Sequence, residues 1–157
     1  MVVILSDHTL FGSWTIYEKL QSEANLSCHW EKKRARKKFI QFSIRKAMAQ
    51  DITKNKETHG RPIPVPCRVV LTRIGRVCDP DNLISLFKNV KDEVASIIFP
   101  EKINLYLKKG KIIENKGHCD SDPRVSWEYK QEPKGKRPDS FRIEIYQTKQ
   151  DEQCKQI

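Results

Sequence analysis

The chain has 157 residues, 38% apolar and 32% charged, with a formal net charge of +10. Such a length favours one domain around one core, and no stretch approaches the ~20 apolar residues that a membrane span needs, so a membrane protein is not expected. The excess of 30 Lys and Arg over 20 Asp and Glu points toward a polyanionic partner, because neutralising phosphates releases condensed counterions.

The opening MVVILSDHTLFGSW lacks a basic n-region and is interrupted by Asp7 and His8, which argues against a secretory signal and for a cytoplasmic protein. Residues 1–13 read as an N-terminal extension. WTIYEKL, residues 14–20, alternates Trp14, Ile16 and Leu20 as a short strand. A loop then runs into a helix of roughly 20 residues that ends before TKNKETHGRP. PIPVPCRVVLTRIG begins with prolines that suit extended structure, and its Val69, Val70, Leu71 and Ile74 form a β-branched strand. CDPDNLISLFKNVKDEV opens a second helix. Residues 101–117 form a Lys-rich insertion with two apolar patches, expected to be a hairpin or a strand-like excursion. VSWEYKQ and SFRIEIYQ each carry one apolar face, Val125, Trp127 and Tyr129 on the first and Phe141, Ile143 and Ile145 on the second. With EPKGKRPD as the turn they are expected to pair as a hairpin. Residues 147–157 are a polar tail expected to fray. The sum is an α+β domain of two layers, a small mixed or antiparallel sheet with two main helices on one face.

Five cysteines, Cys28, Cys67, Cys78, Cys119 and Cys154, are odd in number and widely spaced, which fits reduced thiols. Cys28-His29 and His118-Cys119 lack the two-to-four-residue gap of a zinc site.

In the second helix, Leu83, Leu86, Phe87, Val90, Val94, Ile97 and Ile98 fall on one apolar stripe, and Asp81, Ser85, Lys88 and Asp92 line the other side. Two readings of its acids stand side by side. Asp79 as N-cap, Pro80 at the first helical position and Asp81 against the helix dipole explain them as punctuation. Alternatively, a strand delivers Asp79 to the sheet edge, where two carboxylates share a cation and leave room for water and a phosphate oxygen. CDSDPRV adds Asp120 and Asp122 in a turn; in a compact sheet that turn approaches the strand end bearing Asp79. Asp favours turns for local reasons as well.

LTRIGRVCDPDNLISLFKNVKDEV, CDSDPRVSWEYKQ and SFRIEI together resemble the RusA-type crossover junction endodeoxyribonucleases, especially a phage-borne branch, over roughly residues 14–146. The shared pattern is D-x-D-N-L, then K-x-x-x-D, then D-P-R-V. The resemblance implies that Asp79, Asp81 and Asp122 hold Mg²⁺, with Asp120 as the alternative third ligand, that Lys88 is the nearby basic residue and that Asp92 matches the acid after it. Many members place the lysine where this chain has Ser85. It further implies a homodimer that resolves four-way (Holliday) junctions in DNA recombination and repair by phosphodiester hydrolysis, in a bacterial or phage-infected cell. The insertion at 101–117 has no counterpart in compact members.

EKKRARKKFIQFSIRK, residues 31–46, supplies the expected DNA contacts. Arg34, Lys38, Gln41 and Arg45 share one stripe, whereas Lys33 and Lys37 point elsewhere; Phe39 and Phe42, beside Ala35, are expected in the core. Asn25 and His29, in the loop before this helix, are further candidates through the resemblance. The rival reading is a non-catalytic, basic nucleic-acid-binding protein in which Asp79 and Asp81 serve only as helix caps. A nucleotide phosphotransferase is disfavoured, because neither a Gly-rich phosphate loop nor HExxH occurs.

Overall fold

The computed structural model describes residues 8–20, 30–54, 63–100, 104–115 and 119–148. In order these form β1 (His8–Ile16), α1 (Trp30–Lys54), β2 (Cys67–Gly75), α2 (Pro80–Leu86), α3 (Lys88–Ile98), β3 (Asn104–Lys108), β4 (Lys111–Asn115), a 3-10 turn (Cys119–Ser121), β5 (Val125–Pro133) and β6 (Ser140–Thr148). The fold is α+β, with a mixed four-stranded sheet ordered β1-β6-β2-β5 and a separate two-stranded sheet of β3 and β4. None of the described helices is long and apolar enough to cross a membrane.

β2 organises the sheet. Consecutive β-branched residues suit a strand covered on both faces, and Val69, Val70, Leu71, Thr72 and Ile74 are all buried. It pairs antiparallel with β6 on one edge and parallel with β5 on the other. The expected β5–β6 hairpin is therefore not formed: β2 lies between those strands, and residues 134–139 cross over its end. Alternation shows that β5 and β6 each have one apolar face, but not which strand lies beside which. The order is set by the pairing of β2 with a strand on each edge, and its near-complete burial is that of an interior strand.

β1 starts at His8, so residues 8–13 belong to the sheet rather than to an extension, and the strand stops at Ile16, short of the expected Leu20. Its pairing with β6 shifts between Leu10 and Gly12, a bulge on an edge strand. A Cβ at position 12 would stand 2.4 Å from the Trp14 ring, so glycine is what lets the indole lie along the strand. This glycine also hides the strand in sequence. β6 runs on to Thr148, taking in Gln147 and Thr148 from the presumed tail. Residues 1–7 and 149–157 lie outside the described residues.

The core lies on one sheet face. Trp14, Ile16, Val69, Leu71, Val125, Phe141, Ile143 and Ile145 meet Ile44 and Met48 of α1 and Leu83, Val90, Val94 and Ile98 of the aspartate helix. That helix is two segments in line, joined at Phe87 (φ −89, ψ 0). The Phe87 ring is fully buried, with its centroid 6.1 Å from that of Tyr129 and 6.3 Å from that of Phe141. On the opposite sheet face, Arg142 donates to Glu132 (2.9 Å) and Glu144 (3.2 Å), and the Tyr146 hydroxyl donates to Glu144 (2.7 Å).

α1 corrects another expectation. Phe39 and Phe42 are 54% and 63% exposed, not core. At ~100° per residue, Ile40, Ile44, Ala47 and Met48 share an arc, and both rings lie roughly 120° or more from its centre. Ala35 carries too little apolar surface to turn the helix toward them.

Candidate functional site

The geometry at the exit of β2 is set by an amide on the neighbouring strand. Gln131 Nε2 donates to the carbonyl of Cys78 (2.9 Å), and Gln131 Oε1 accepts from the Cys78 N–H (3.0 Å). Asp79 follows at the N-cap position (φ −63, ψ 150), Pro80 starts α2, and Asp81 sits in the first turn. That much agrees with helix punctuation. The Asp79 side chain, however, makes no cap hydrogen bond; the turn closes through the backbone, where the Leu83 N–H donates to the Asp79 carbonyl (3.0 Å). Asp79 and Asp81 are both exposed, and neither carboxylate has a hydrogen bond or ion pair among the described residues. An N-cap side chain that makes its bond contributes about 1 kcal/mol. Here that contribution is not made.

Asp122 is placed very differently. It is buried, and its Oδ1 accepts from the Arg124 backbone N–H and Nε (both 3.0 Å) while Oδ2 accepts from Arg124 Nη2 (2.9 Å). The guanidinium lies 4.7 Å from the centroid of Phe99, just beyond the end of α3. Asp122 thus ties down the turn that launches β5. Parallel pairing sets Val125 level with Cys67, the first residue of β2, whereas Asp79 comes after Gly75, the last. Gln131, whose amide holds Cys78, lies six residues along β5 from Val125, roughly 20 Å. The expected convergence of Asp79, Asp81 and Asp122 is consequently absent, because β5 runs alongside β2 instead of returning toward its end. Among the described residues, no group of three or more His, Cys, Asp or Glu side chains is arranged to hold a metal ion.

Asp120 faces another way. It raises the Asp92 carboxyl above its ordinary value, second to burial and against the lowering influence of Lys37, Lys88 and Lys91. The Tyr129 phenol is raised as well, by burial first and then by Asp120 and Asp92. Lys88 is exposed at the start of α3, ~10 Å along the helical path from Asp81, and its charge acts on Asp92. Of the two acids in CDSDPRV, Asp120 therefore belongs with Asp92 and Tyr129, and Asp122 with Arg124.

The basic residues of α1 divide into two groups. Arg34 and Lys38 are exposed on the expected stripe, but Arg45 leaves it: its Nε donates to Glu93, whose side chain is wholly buried. Lys33, Arg36 and Lys37 share the angular sector of Ile40 and line a cavity of about 270 Å³, together with Lys19, Leu86 and Asn89. The basic residues that share this cavity with Leu86 and Asn89 of the aspartate helix are thus Lys33, Arg36 and Lys37, while Arg45 reaches the same helix farther along, at Glu93. Asn25 and His29 lie outside the described residues. Sequence reasoning missed Gln131 and Glu93. A glutamine on an edge strand carries no local signal, and Glu93, one residue from Asp92, shows its burial only in its position beside the Val90–Val94 stripe. Cys67, Cys78 and Cys119 are free thiols, and burial pushes the Cys67 thiol up to about 11.

No protein-family model matches the chain, and no match is found among curated proteins or solved structures.

Proposed function

We propose that the chain is a divalent-metal-dependent endonuclease for branched DNA, of the RusA type that its motifs resemble. One observation carries this reading: on a main chain held by Gln131 at Cys78, the exposed Asp79 and Asp81 carboxylates have no hydrogen bond or ion pair among the described residues, and the Asp79 side chain does not cap the helix. Such a pair fits Mg²⁺, which keeps several waters and is bound through one or two carboxylates plus substrate phosphates more often than in a full protein cage. Asp79 and Asp81 would hold the ion, which when bound supplies charge neutralisation at the scissile phosphate and an acidified water. Gln131 fixes the loop that carries Asp79, so the carboxylates need little reordering when substrate arrives. Lys88 offsets charge on the neighbouring phosphate, while Lys33, Arg36 and Lys37 draw the backbone toward the helix pair. Asp122 supports the fold through Arg124 and is no part of this pair. A homodimer, with one site per protomer, suits a four-way junction that presents two symmetric scissile phosphates.

The separation of Asp122 from Asp79 favours a second reading, a basic nucleic-acid-binding protein without catalysis. Incubation with a synthetic four-way junction, with and without Mg²⁺, separates the two. The nuclease reading expects cutting by wild type only with Mg²⁺, and cutting by Asp81→Asn slower by about 100-fold or more. Equal cutting by both removes Asp81 from the site; binding by both without cutting by either establishes the second reading.

A further inference from the structure

The β3–β4 hairpin is not used by the proposed chemistry, and its tip is unusual. Leu107 and Ile112 are the most exposed large apolar side chains among the described residues, at 75% and 73%. They are directly opposed across the hairpin, so both project from the same face. Lys108 opposes Lys111 on the other face, and Lys109 and Gly110 make the two-residue turn between them. Both turn residues have positive φ, 51° at Lys109 and 73° at Gly110, as a tight hairpin of this length requires. Asn, Asp or Gly would occupy the first of these positions with less strain. A lysine there places a charge at the apex despite that cost, and strain of this kind is usually retained for function. The strands pair only with each other, which leaves the tip clear of the main sheet.

We infer that this tip is a wedge for DNA, with Leu107 and Ile112 set against bases exposed at a branch point and Lys108, Lys109 and Lys111 on the flanking phosphates. The inference rests on the reading of the chain as a protein for branched DNA and adds a second contact, separate from Asp79 and Asp81. Charge selects the occupant: three lysines and no acid lie between Leu107 and Ile112, on a chain of net charge +10. A two-stranded ribbon fits a widened groove, and small apolar side chains enter between bases where stacking is broken. In continuous duplex such entry must pull bases apart; at a branch the arms already end their stacks, so the wedge distinguishes branched from linear DNA without reading sequence.

The test uses the full-length chain, a four-way junction with 2-aminopurine at the branch and a linear duplex of the same sequence, all in EDTA so that no cutting intervenes. Wild type is expected to raise the 2-aminopurine fluorescence. Leu107→Ser with Ile112→Ser is expected to abolish that rise and weaken junction binding about tenfold, with linear duplex binding and the unfolding midpoint unchanged. Lys108→Gln, Lys109→Gln and Lys111→Gln together are expected to weaken binding to both DNAs and reduce the log–log salt slope by about 2 to 3. Junction binding by the Ser variant equal to wild type overturns the wedge. So does retention of junction binding combined with loss of binding to phosphatidylserine vesicles, which would make the tip a lipid contact. If wild type binds neither DNA, the branched-DNA reading falls with it; if wild type cuts junctions in Mg²⁺ while the hairpin variants behave identically to it, only the wedge fails.

Discussion

Glu93 and Asp122 differ from Asp79 and Asp81 in one decisive respect. Glu93 is wholly buried against Arg45, and Asp122 is buried with both oxygens taken by Arg124. Asp79 and Asp81 stand in solvent with no such partner among the described residues. A buried carboxylate stripped of its partner is strongly destabilising, so folding itself requires the first two to be matched. Folding makes little demand on the second two. Acids fixed in place but not needed for stability are the better candidates for chemistry, and Asp122, which D-P-R-V marks in sequence, belongs to the structural class.

The sharpest attack on this contrast is at Arg45. Arg45→Ala is expected to cost about 3 kcal/mol in urea unfolding, and Arg45→Met combined with Glu93→Leu to recover most of it. A loss under about 1 kcal/mol would mean that Glu93 does not depend on Arg45. Asp122→Asn comes next, with about 2 kcal/mol expected from the weakened charge-assisted bonds to Arg124. Asp79→Ala should change stability by no more than about 0.5 kcal/mol, since the cap bond, ordinarily worth about 1, is not made. A full capping loss there would restore the helix-punctuation reading.

The smallest effect concerns pH. Asp92 has a folded-state carboxyl raised above 3.8, by burial first and Asp120 second. The folded state therefore holds its proton more tightly than the unfolded chain. The associated stability is complete below 3.8 and is lost as pH rises through the raised value. Half-exposure keeps the effect modest. Thermal unfolding of wild type and Asp92→Asn across that range should show the variant gaining relative stability as pH increases, and no difference in slope would contradict the raised Asp92 carboxyl.

The sequence was most legible where pattern and packing coincide. The stripe from Leu83 to Ile98, the apolar faces of β5 and β6 and the run at β2 all follow from periodicity, because each buries one recurrent set of side chains; the insertion hairpin follows from its two apolar patches, although Leu107 and Ile112 stay exposed. Neighbour relations were not legible. That β5 runs parallel to β2 depends on which edges of β2 are free, a property of the whole sheet, and this one relation moved Asp122 away from Asp79. Phe39 and Phe42 misled for a related reason: size suggested burial, whereas the angular position of Ile40, Ile44 and Met48 decided it. The pair at Asp79 and Asp81 was visible because strand, proline and helix follow one another in adjacent residues, but the absent cap bond is a matter of side-chain direction that no spacing encodes.

Both hydrogen bonds of the Gln131 amide go to main-chain atoms of Cys78. The anchor is therefore indifferent to which side chains occupy the exposed positions 76 and 77, and substitutions there can retune the surroundings of Asp79 while its backbone stays put, whereas Cys78 packs against the core. A protein engineer seeking altered substrate preference would begin with those two exposed residues and leave the glutamine alone.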